Sequence, residues 1–413
     1  MNGSEKSLQE RIETHIAELE RFTATPGRGT TRLTYSPQDL GARAYLKERM
    51  REYGLDVRED GFGNLFGKRE GTIEGAPSVL IGSHFDSVPN GGAYDGPAGV
   101  IAGLEVARLF AENGTRHAYP LEVFALIEEE GARFPGGLMG SRAMLGVLSK
   151  EEFARQTDKD GVTTIEAMRA AGLDPSLPGR REQGSIKAYL ELHIEQGPLL
   201  EDSGIPVGVV DAIVGLAQVQ ITVKGRAGHA GTTPMNRRSD ALVAASRIVA
   251  QLPDAAEGEE ESTVVTVGRL NVFPNGANVI PDRVVFTVDL RSGAEEHVRS
   301  VLAKTKELAL AAAGDGIEVE IEDQLYIAPK RMDESVRALL REKSGALGIA
   351  HRPISSGAGH DAMIFADFTA AGMLFVPSRD GLSHCPEEWT DAAHIADAVR
   401  IFHEAARALT EAE

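Results

Sequence analysis

Residues 79–84 read VLIGSH, an unbroken apolar run ending in polar side chains; PNGGAYDGPAG follows at 89–99, and LEVFALIEEEG occupies 121–131. Between the last two, Val100, Leu104, Ala107 and Phe110 recur at helical spacing, which predicts a helix over about 97–113. Short apolar runs bounded by polar and glycine-rich turns read as buried strands. Strand, glycine loop, helix, strand is the order of an α/β domain built on a largely parallel sheet.

Working outward, AYLELHIEQG, ending at Gly197, and AGMLFVPS (371–378) predict two further buried strands. Helices are expected at 37–53, where Ser36 caps and Gly54 closes, at about 333–347 and at about 391–411. From about Leu216 the texture changes. AQVQITVKG, the helix pattern 239–252, STVVTVGRLNV, DRVVFTVDLR, the helix pattern 295–313 and GIEVEIED follow one another as β-α-β-β-α-β. That order is the ferredoxin-like split βαβ motif. The expectation is an α/β domain made of 1–212 and 326–413, with a smaller α+β domain, 213–325, inserted between them. The acidic tract EGEEES (257–262) is expected to be a solvated loop.

Composition narrows the function. A formal charge of −19 would repel a phosphate backbone over most of the surface, which argues against nucleic acid as a partner. No run approaches the ~20 apolar residues that cross a bilayer, and the N-terminal MNGSEKSLQERIETHIAELERF has no apolar signal core. The single cysteine, Cys385, excludes an intrachain disulfide and fits a reducing cytoplasm.

In open α/β sheets ligands bind beyond the carboxyl ends of the strands, and the polar residues collect there. The strands lead into Ser83-His84-Phe85-Asp86, Glu128-Glu129-Glu130-Gly131, His193-Ile194-Glu195-Gln196 and Ser383-His384, with Asp95 in the glycine loop. Alone, each is weak: a lone histidine is more often a hydrogen-bonded structural one, and an acidic triplet more often a solvated patch. Together, three imidazoles and several carboxylates form a nitrogen-and-oxygen ligand set suited to Zn, Mn, Co or Ni. In extended chain residues i and i+2 face the same way, so Asp86 is expected to accept the second ring proton of His84. Neighbouring side chains after a strand face opposite ways, so Glu130 could ligate metal while Glu129 faces substrate. Ser141 and Ser356 sit in no G-x-S-x-G elbow, Cys385 has only a sequence neighbour in His384, and the glycine loop has neither Walker nor G-x-G-x-x-G spacing.

GSHFDSVPNGGAYDGPAGV, EEEGARF, LELHIEQGP, GHAGTTPM, SGAGHDAM and SRDGLSHCPEEW, in this order, resemble the M20-type metalloamidases over nearly the whole chain. The branch they resemble is the group of N-carbamoyl-L-amino-acid hydrolases, β-ureidopropionases and allantoate amidohydrolases. The resemblance implies that the inserted domain serves as lid and dimerisation domain of a homodimer. It implies two divalent metal ions, His84 and His193 binding one, Glu130 and His384 the other, and Asp95 bridging them, with a cis peptide between Asp95 and Gly96. Glu129 matches the general base and Asp86 the residue that orients His84. His229 matches a histidine that polarises the scissile carbonyl, reaching across from the partner subunit, and Asn278 and Arg291 match substrate-binding positions. Gln196, Gly359 and His360 match pocket-lining positions. Two departures stand out: Glu128 where Asp commonly leads the acidic triplet, and Gly228 before His229 where Asn or Asp is usual. The expected reaction is hydrolysis of the ureido amide of an N-carbamoyl-L-amino acid. The rivals are an allantoate amidohydrolase and an N-acyl amino-acid hydrolase or dipeptidase; His193, where many of the latter carry an acidic ligand, speaks against them.

Overall fold

A computed structural model describes residues 7–257 and 263–412, so the acidic tract, apart from Glu257, lies outside the described residues. The chain divides into two compact units. One comprises the residues up to Asp211, Arg331–Ile354 and those from His360 onward; the other comprises Ala212–Lys330 and Ser355–Gly359.

The first unit is organised by a nine-stranded mixed sheet. Its centre is parallel: Ser78–His84 pairs with Leu121–Leu126 on one side and Ile186–Ile194 on the other, and Ile186–Ile194 pairs in turn with Ala370–Val376. These are the apolar runs of the sequence, and they are almost wholly buried, as parallel strands covered on both faces require. The flanks are antiparallel, through the hairpin Asp56–Glu59/Leu65–Arg69 at one side and Val207–Ile213 at the other. The helix Pro97–Glu112 lies on the central strands with all but three of its residues buried. It can approach so closely because Gly99 has no side chain: a Cβ there would stand 2.2 Å from the Leu192 carbonyl oxygen. The helices Leu8–Glu20 and Ala392–Thr410 pack against it. Leu8–Glu20 starts at a capping box in which the Ser7 hydroxyl and the Glu10 carboxylate each accept the other's backbone N–H.

The second unit carries a four-stranded antiparallel sheet in the order Glu318–Ile327, Gly215–Lys224, Arg283–Ser292, Val264–Phe273. Helices Ala241–Ala255 and Glu295–Ala311 give the β-α-β-β-α-β order of the ferredoxin-like motif. Gly215–Lys224 alternates buried and half-buried residues along its whole length, the period-two signature of a sheet with one covered face. The covered face joins Val219, Ile221, Val223, Phe286 and Val288 to Ile248, Leu252 and Val301 of the helices. A separate two-stranded ribbon pairs Gly228–His229 with Val279–Ile280.

Candidate active site

The chemistry-bearing residues of the first unit converge at the carboxyl ends of its parallel strands. His84 is the last residue of its strand, His193 the penultimate one of the next, and Asp95 lies just before the helix Pro97–Glu112. Asp95 is the hub. One of its oxygens lies 3.3 Å from His84 Nε2 and 3.2 Å from His193 Nε2; the other lies 3.5 Å from His384 Nε2. His384 Nε2 is also 3.3 Å from Glu130, and His84 Nε2 is 3.8 Å from Glu129. The two imidazole nitrogens of His84 and His193 face each other at 3.4 Å.

Three groups of ligand atoms each fall within 4.8 Å: His84, Asp95 and His193; His84, Glu129 and Glu130; Asp95, Glu130 and His384. Three imidazoles and three carboxylates gathered into so small a volume are consistent with a binuclear divalent metal site, with Asp95 common to two of the groups.

Electrostatics match this crowding. Burial pushes the Glu129 carboxyl up, and Glu130, Asp361 and Asp95 add to it against the pull of His84, leaving it well above the usual range. Burial also pushes Asp95 up, but His193, His384 and His84 overturn this and hold it well below. Hydrogen bonding to Asp95 and Glu130 raises the His384 imidazole to about 11. For His84, burial favours the neutral ring, yet Glu129, Asp86 and Asp95 hold it well above the histidine range.

The turn bearing the acidic triplet is built from inside. Asp86 accepts the backbone N–H groups of Glu129 (3.1 Å) and Glu130 (3.3 Å), one on each oxygen. Its distance to His84 Nδ1 is 3.6 Å, too long for the direct ring bond that the His-x-Asp spacing suggests. Glu128 is buried at φ 51° and closes the turn by accepting from Arg133 N and Phe134 N, both at 2.7 Å. Gln196 (φ 59°) and His384 (φ 58°) share that left-handed conformation. For a non-glycine residue it costs about 1–3 kcal/mol, and such strain clusters at functional sites. The peptide after Asp95 is trans, contrary to the resemblance, the cis peptide among the described residues being Phe273–Pro274. The turn there is made instead by Gly96 at φ 80°, a conformation open to glycine.

Other anticipated residues divide between the units. Gln196 belongs to this centre, donating from Nε2 to Asp95 at 2.6 Å, and the His360 ring meets the His193 ring edge-on at 4.5 Å. His229, Asn278, Arg291 and Gly359 lie in the second unit. The ribbon brings His229 beside Asn278, whose carbonyl accepts from Ala230 N at 3.0 Å. Both are exposed, and His229 Nδ1 accepts from Gly231 N, so the neutral ring carries its proton on Nε2. Arg291 is tethered by Asp289 (2.9 Å) and the Gly357 carbonyl (3.0 Å).

Sequence reasoning passed over two buried carboxylates. Glu191 accepts from Ser83 Oγ (2.7 Å), Tyr189 OH (2.8 Å) and Ala362 N (3.0 Å). Burial and then Glu191 raise its neighbour Asp361 to about 8. Glu388, in the quoted SHCPEEW, accepts from Tyr94 N, Asp95 N, Ser383 Oγ and His384 N. Glu191 offered one signal: it stands two residues before His193 and so shares its face of the strand.

The profile of Peptidase family M20/M25/M40 matches residues 80–408. The N-carbamoyl-L-amino-acid amidohydrolase of Paenarthrobacter aurescens is 45% identical over 390 residues, 94% of each chain. The allantoate amidohydrolase of Escherichia coli is 38% identical over 400 residues, 95% of this chain and 96% of that one. A crystal structure of a hydantoinase/carbamoylase-family amidase from Burkholderia multivorans superposes with a TM-score of 0.92 at 35% identity, covering 97% of this chain and 98% of that one. With a profile match over most of its length and full-length relatives at this identity, the chain is a member of peptidase family M20/M25/M40, a metal-dependent amidohydrolase closely related to the N-carbamoyl-L-amino-acid amidohydrolases.

Proposed function

We propose that this protein hydrolyses the ureido amide of N-carbamoyl-L-amino acids: R-NH-CO-NH2 and water give the free amino acid, ammonia and carbon dioxide. The observation that carries the reading is the gathering of four candidate metal donors, His84, His193, Glu130 and His384, around Asp95, with Glu129 at its edge. The identity to the Paenarthrobacter enzyme, higher than that to the Escherichia coli allantoate enzyme, favours the carbamoyl amino acid.

His84 and His193 would hold one divalent cation and Glu130 and His384 the other, with Asp95 shared. Bound there, Mn, Zn, Co or Ni supplies Lewis acidity that polarises the amide carbonyl and acidifies water. Glu129 takes the proton of the attacking water and delivers it to the leaving nitrogen. Asp86 holds Glu129 in register through its backbone. His229 donates from Nε2 to the carbonyl oxygen as negative charge develops there. Asn278 and Arg291 bind the substrate's polar groups, Arg291 pairing with the α-carboxylate, while Gln196, Gly359 and His360 line the pocket.

The second unit, with its exposed His229, is read as the lid and dimerisation domain of a homodimer in which His229 serves the partner's centre. No helix among the described residues is long and apolar enough to cross a membrane. Cys385, without a second cysteine to pair with, supports a cytoplasmic location.

Ammonia release from Mn-loaded protein tests the substrate, with N-carbamoyl-L-amino acids, their D-enantiomers and allantoate compared side by side. Turnover of the L-carbamoyl compounds is expected; turnover of allantoate alone would transfer the same machinery to that substrate. Glu129→Gln should abolish turnover while keeping both metals, and an active, metal-loaded variant would remove Glu129 from the role of base. Mixing His229→Ala with Glu129→Gln protein should restore about a quarter of wild-type activity, because one centre of each heterodimer is then complete. No restoration would place His229 in its own subunit's centre.

A further inference from the structure

Glu388 is 3% exposed, and each of its carboxylate oxygens is doubly occupied. One accepts from Tyr94 N at 2.9 Å and Asp95 N at 3.0 Å; the other accepts from Ser383 Oγ at 3.0 Å and His384 N at 3.3 Å. One carboxylate therefore joins the glycine loop, which carries Asp95, to the loop that carries His384, almost 300 residues further on. A bidentate charged acceptor fixes both the separation and the orientation of two backbones. Ser383 completes the clamp. Its hydroxyl lies 2.8 Å from Asp95 and 3.0 Å from Glu388, and its single proton can serve only one of them fully. When Asp95 is engaged elsewhere, Glu388 is the acceptor that remains.

The loops need such a clamp unequally. His84 and His193 are parts of strands, and their side chains are 1% exposed. The His384 side chain is 48% exposed, its residue has a positive φ, and it lies on irregular chain. The clamp is also built to close contact: a Cβ on Gly92 would stand 2.1 Å from the Glu388 carboxylate, so glycine is required at 92 for Glu388 to reach the amides.

We propose that Glu388 is a positioning residue that sets His384 against Asp95 and thereby decides whether the second of the two cations is retained. The inference rests on the two-metal reading of the site. The test is metal retention, independent of turnover. Wild type, Glu388→Gln and Gly92→Ala are loaded with Mn2+, dialysed, and analysed for metal content and for the two dissociation constants by calorimetry. Glu388→Gln keeps the shape but places an NH2 group against at least one of the four donors; Gly92→Ala leaves Glu388 intact and displaces it. Wild type should retain two equivalents. Both variants should retain one tightly, with the second dissociation constant raised at least about tenfold, while the disturbed buried hydrogen bonds lower their metal-free melting temperatures by several degrees. A general loss of structure would instead weaken both constants alike, and that result would overturn the proposal. So would two equivalents held by both variants with unchanged constants. If Glu388→Gln fails to fold, Gly92→Ala decides by the same criterion. A wild type that takes up fewer than two equivalents would overturn the two-metal reading, and this inference with it.

Discussion

Asp86 presents a clean separation between holding a catalytic group and being one. It is 1% exposed and spends one oxygen on Glu129 N and the other on Glu130 N. Asp86→Asn changes no volume, but whichever way the amide turns, one backbone N–H keeps an oxygen and the other meets an NH2 group. An orphaned buried donor costs about 1–3 kcal/mol, and the surviving bond loses about 1 kcal/mol when its acceptor is no longer charged. Against this, the Asp86 charge is one of the causes, after burial, that push its neighbour Glu128 up to about 7, so its removal returns part of the loss. The net expectation is a destabilisation of about 2–3 kcal/mol, read from urea unfolding at pH 7. The larger effect falls on turnover. The freed turn carries Glu129, and a displacement of about 1 Å costs on the order of 100-fold in rate. We therefore expect kcat to fall about 100-fold with KM within a few-fold, since substrate is held by other groups. A variant with the predicted loss of stability but near-wild-type kcat would refute the reasoning. It would show that the turn is held in register by the bonds from Leu138 N to the Glu129 carbonyl and from Met139 N to the Glu128 carbonyl.

Three further outcomes are expected. Asp60, fully buried, is pushed up to about 6 by that burial despite the hydrogen bonds from Asn64 and Phe62. Its folded pKa exceeds its unfolded one, so its contribution to stability is complete below about pH 4 and lost as pH rises through about 6, a change of about 3 kcal/mol. Unfolding curves of Asp60→Asn should lack this decline relative to wild type, and parallel pH profiles would contradict it. Gly99→Ala should cost about 1–3 kcal/mol or more, because its Cβ would press on the Leu192 carbonyl and on Ser83 Cβ at 2.6 Å. Gly345→Ala, in the helix Glu334–Ala346 with open space around it, should instead stabilise by up to about 1 kcal/mol; melting the pair side by side checks both. Finally, His384, held at about 11, is protonated at neutral pH without metal, so a cation binding its ring must displace that proton. Affinity for that cation should fall about tenfold per unit as pH drops, and calorimetry in buffers of different ionisation enthalpy should detect the released proton; buffer-independent heats would contradict it.

How far the sequence could be read follows from where each signal is stored. The four central strands are continuous apolar runs because both faces are buried, and such runs are visible in any window. The flanking hairpin is not visible. Asp56–Glu59 has no buried residue, and Leu65–Arg69 is interrupted by Gly67 and ends in Lys68-Arg69. Its place at the sheet edge is set by pairing with Leu121–Leu126 rather than by its own composition. The ribbon of Gly228–His229 with Val279–Ile280 is two residues long on each side and joins positions about fifty apart. The N-terminal helix has cues in Ser7, Glu10 and the spacing of Ile12, Ile16 and Leu19, but in sequence the segment reads only as charged and lacking an apolar signal core, and no helix is drawn from it.

The site divides in the same way. His84, Asp95, Glu130, His193 and His384 stand out as candidate ligands because imidazole and carboxylate at strand exits have few other uses together. The residues that hold them in place do not, since a carboxylate accepting backbone N–H groups leaves no mark on the residues that donate. Glu387 and Glu388 are adjacent and chemically identical, yet Glu387 is exposed while Glu388 is buried beneath two loops. The acidic triplet repeats the lesson at closer range. Glu128 folds inward onto Arg133 N and Phe134 N, while Glu129 and Glu130 face His84 and His384. What separates such neighbours is the path of the chain, fixed by long-range contacts. A ligand can thus be found from its own chemistry, but a positioning residue only from its partners, which makes Asp86, Glu191 and Glu388 the positions where mutation most directly tests the structure rather than the motif.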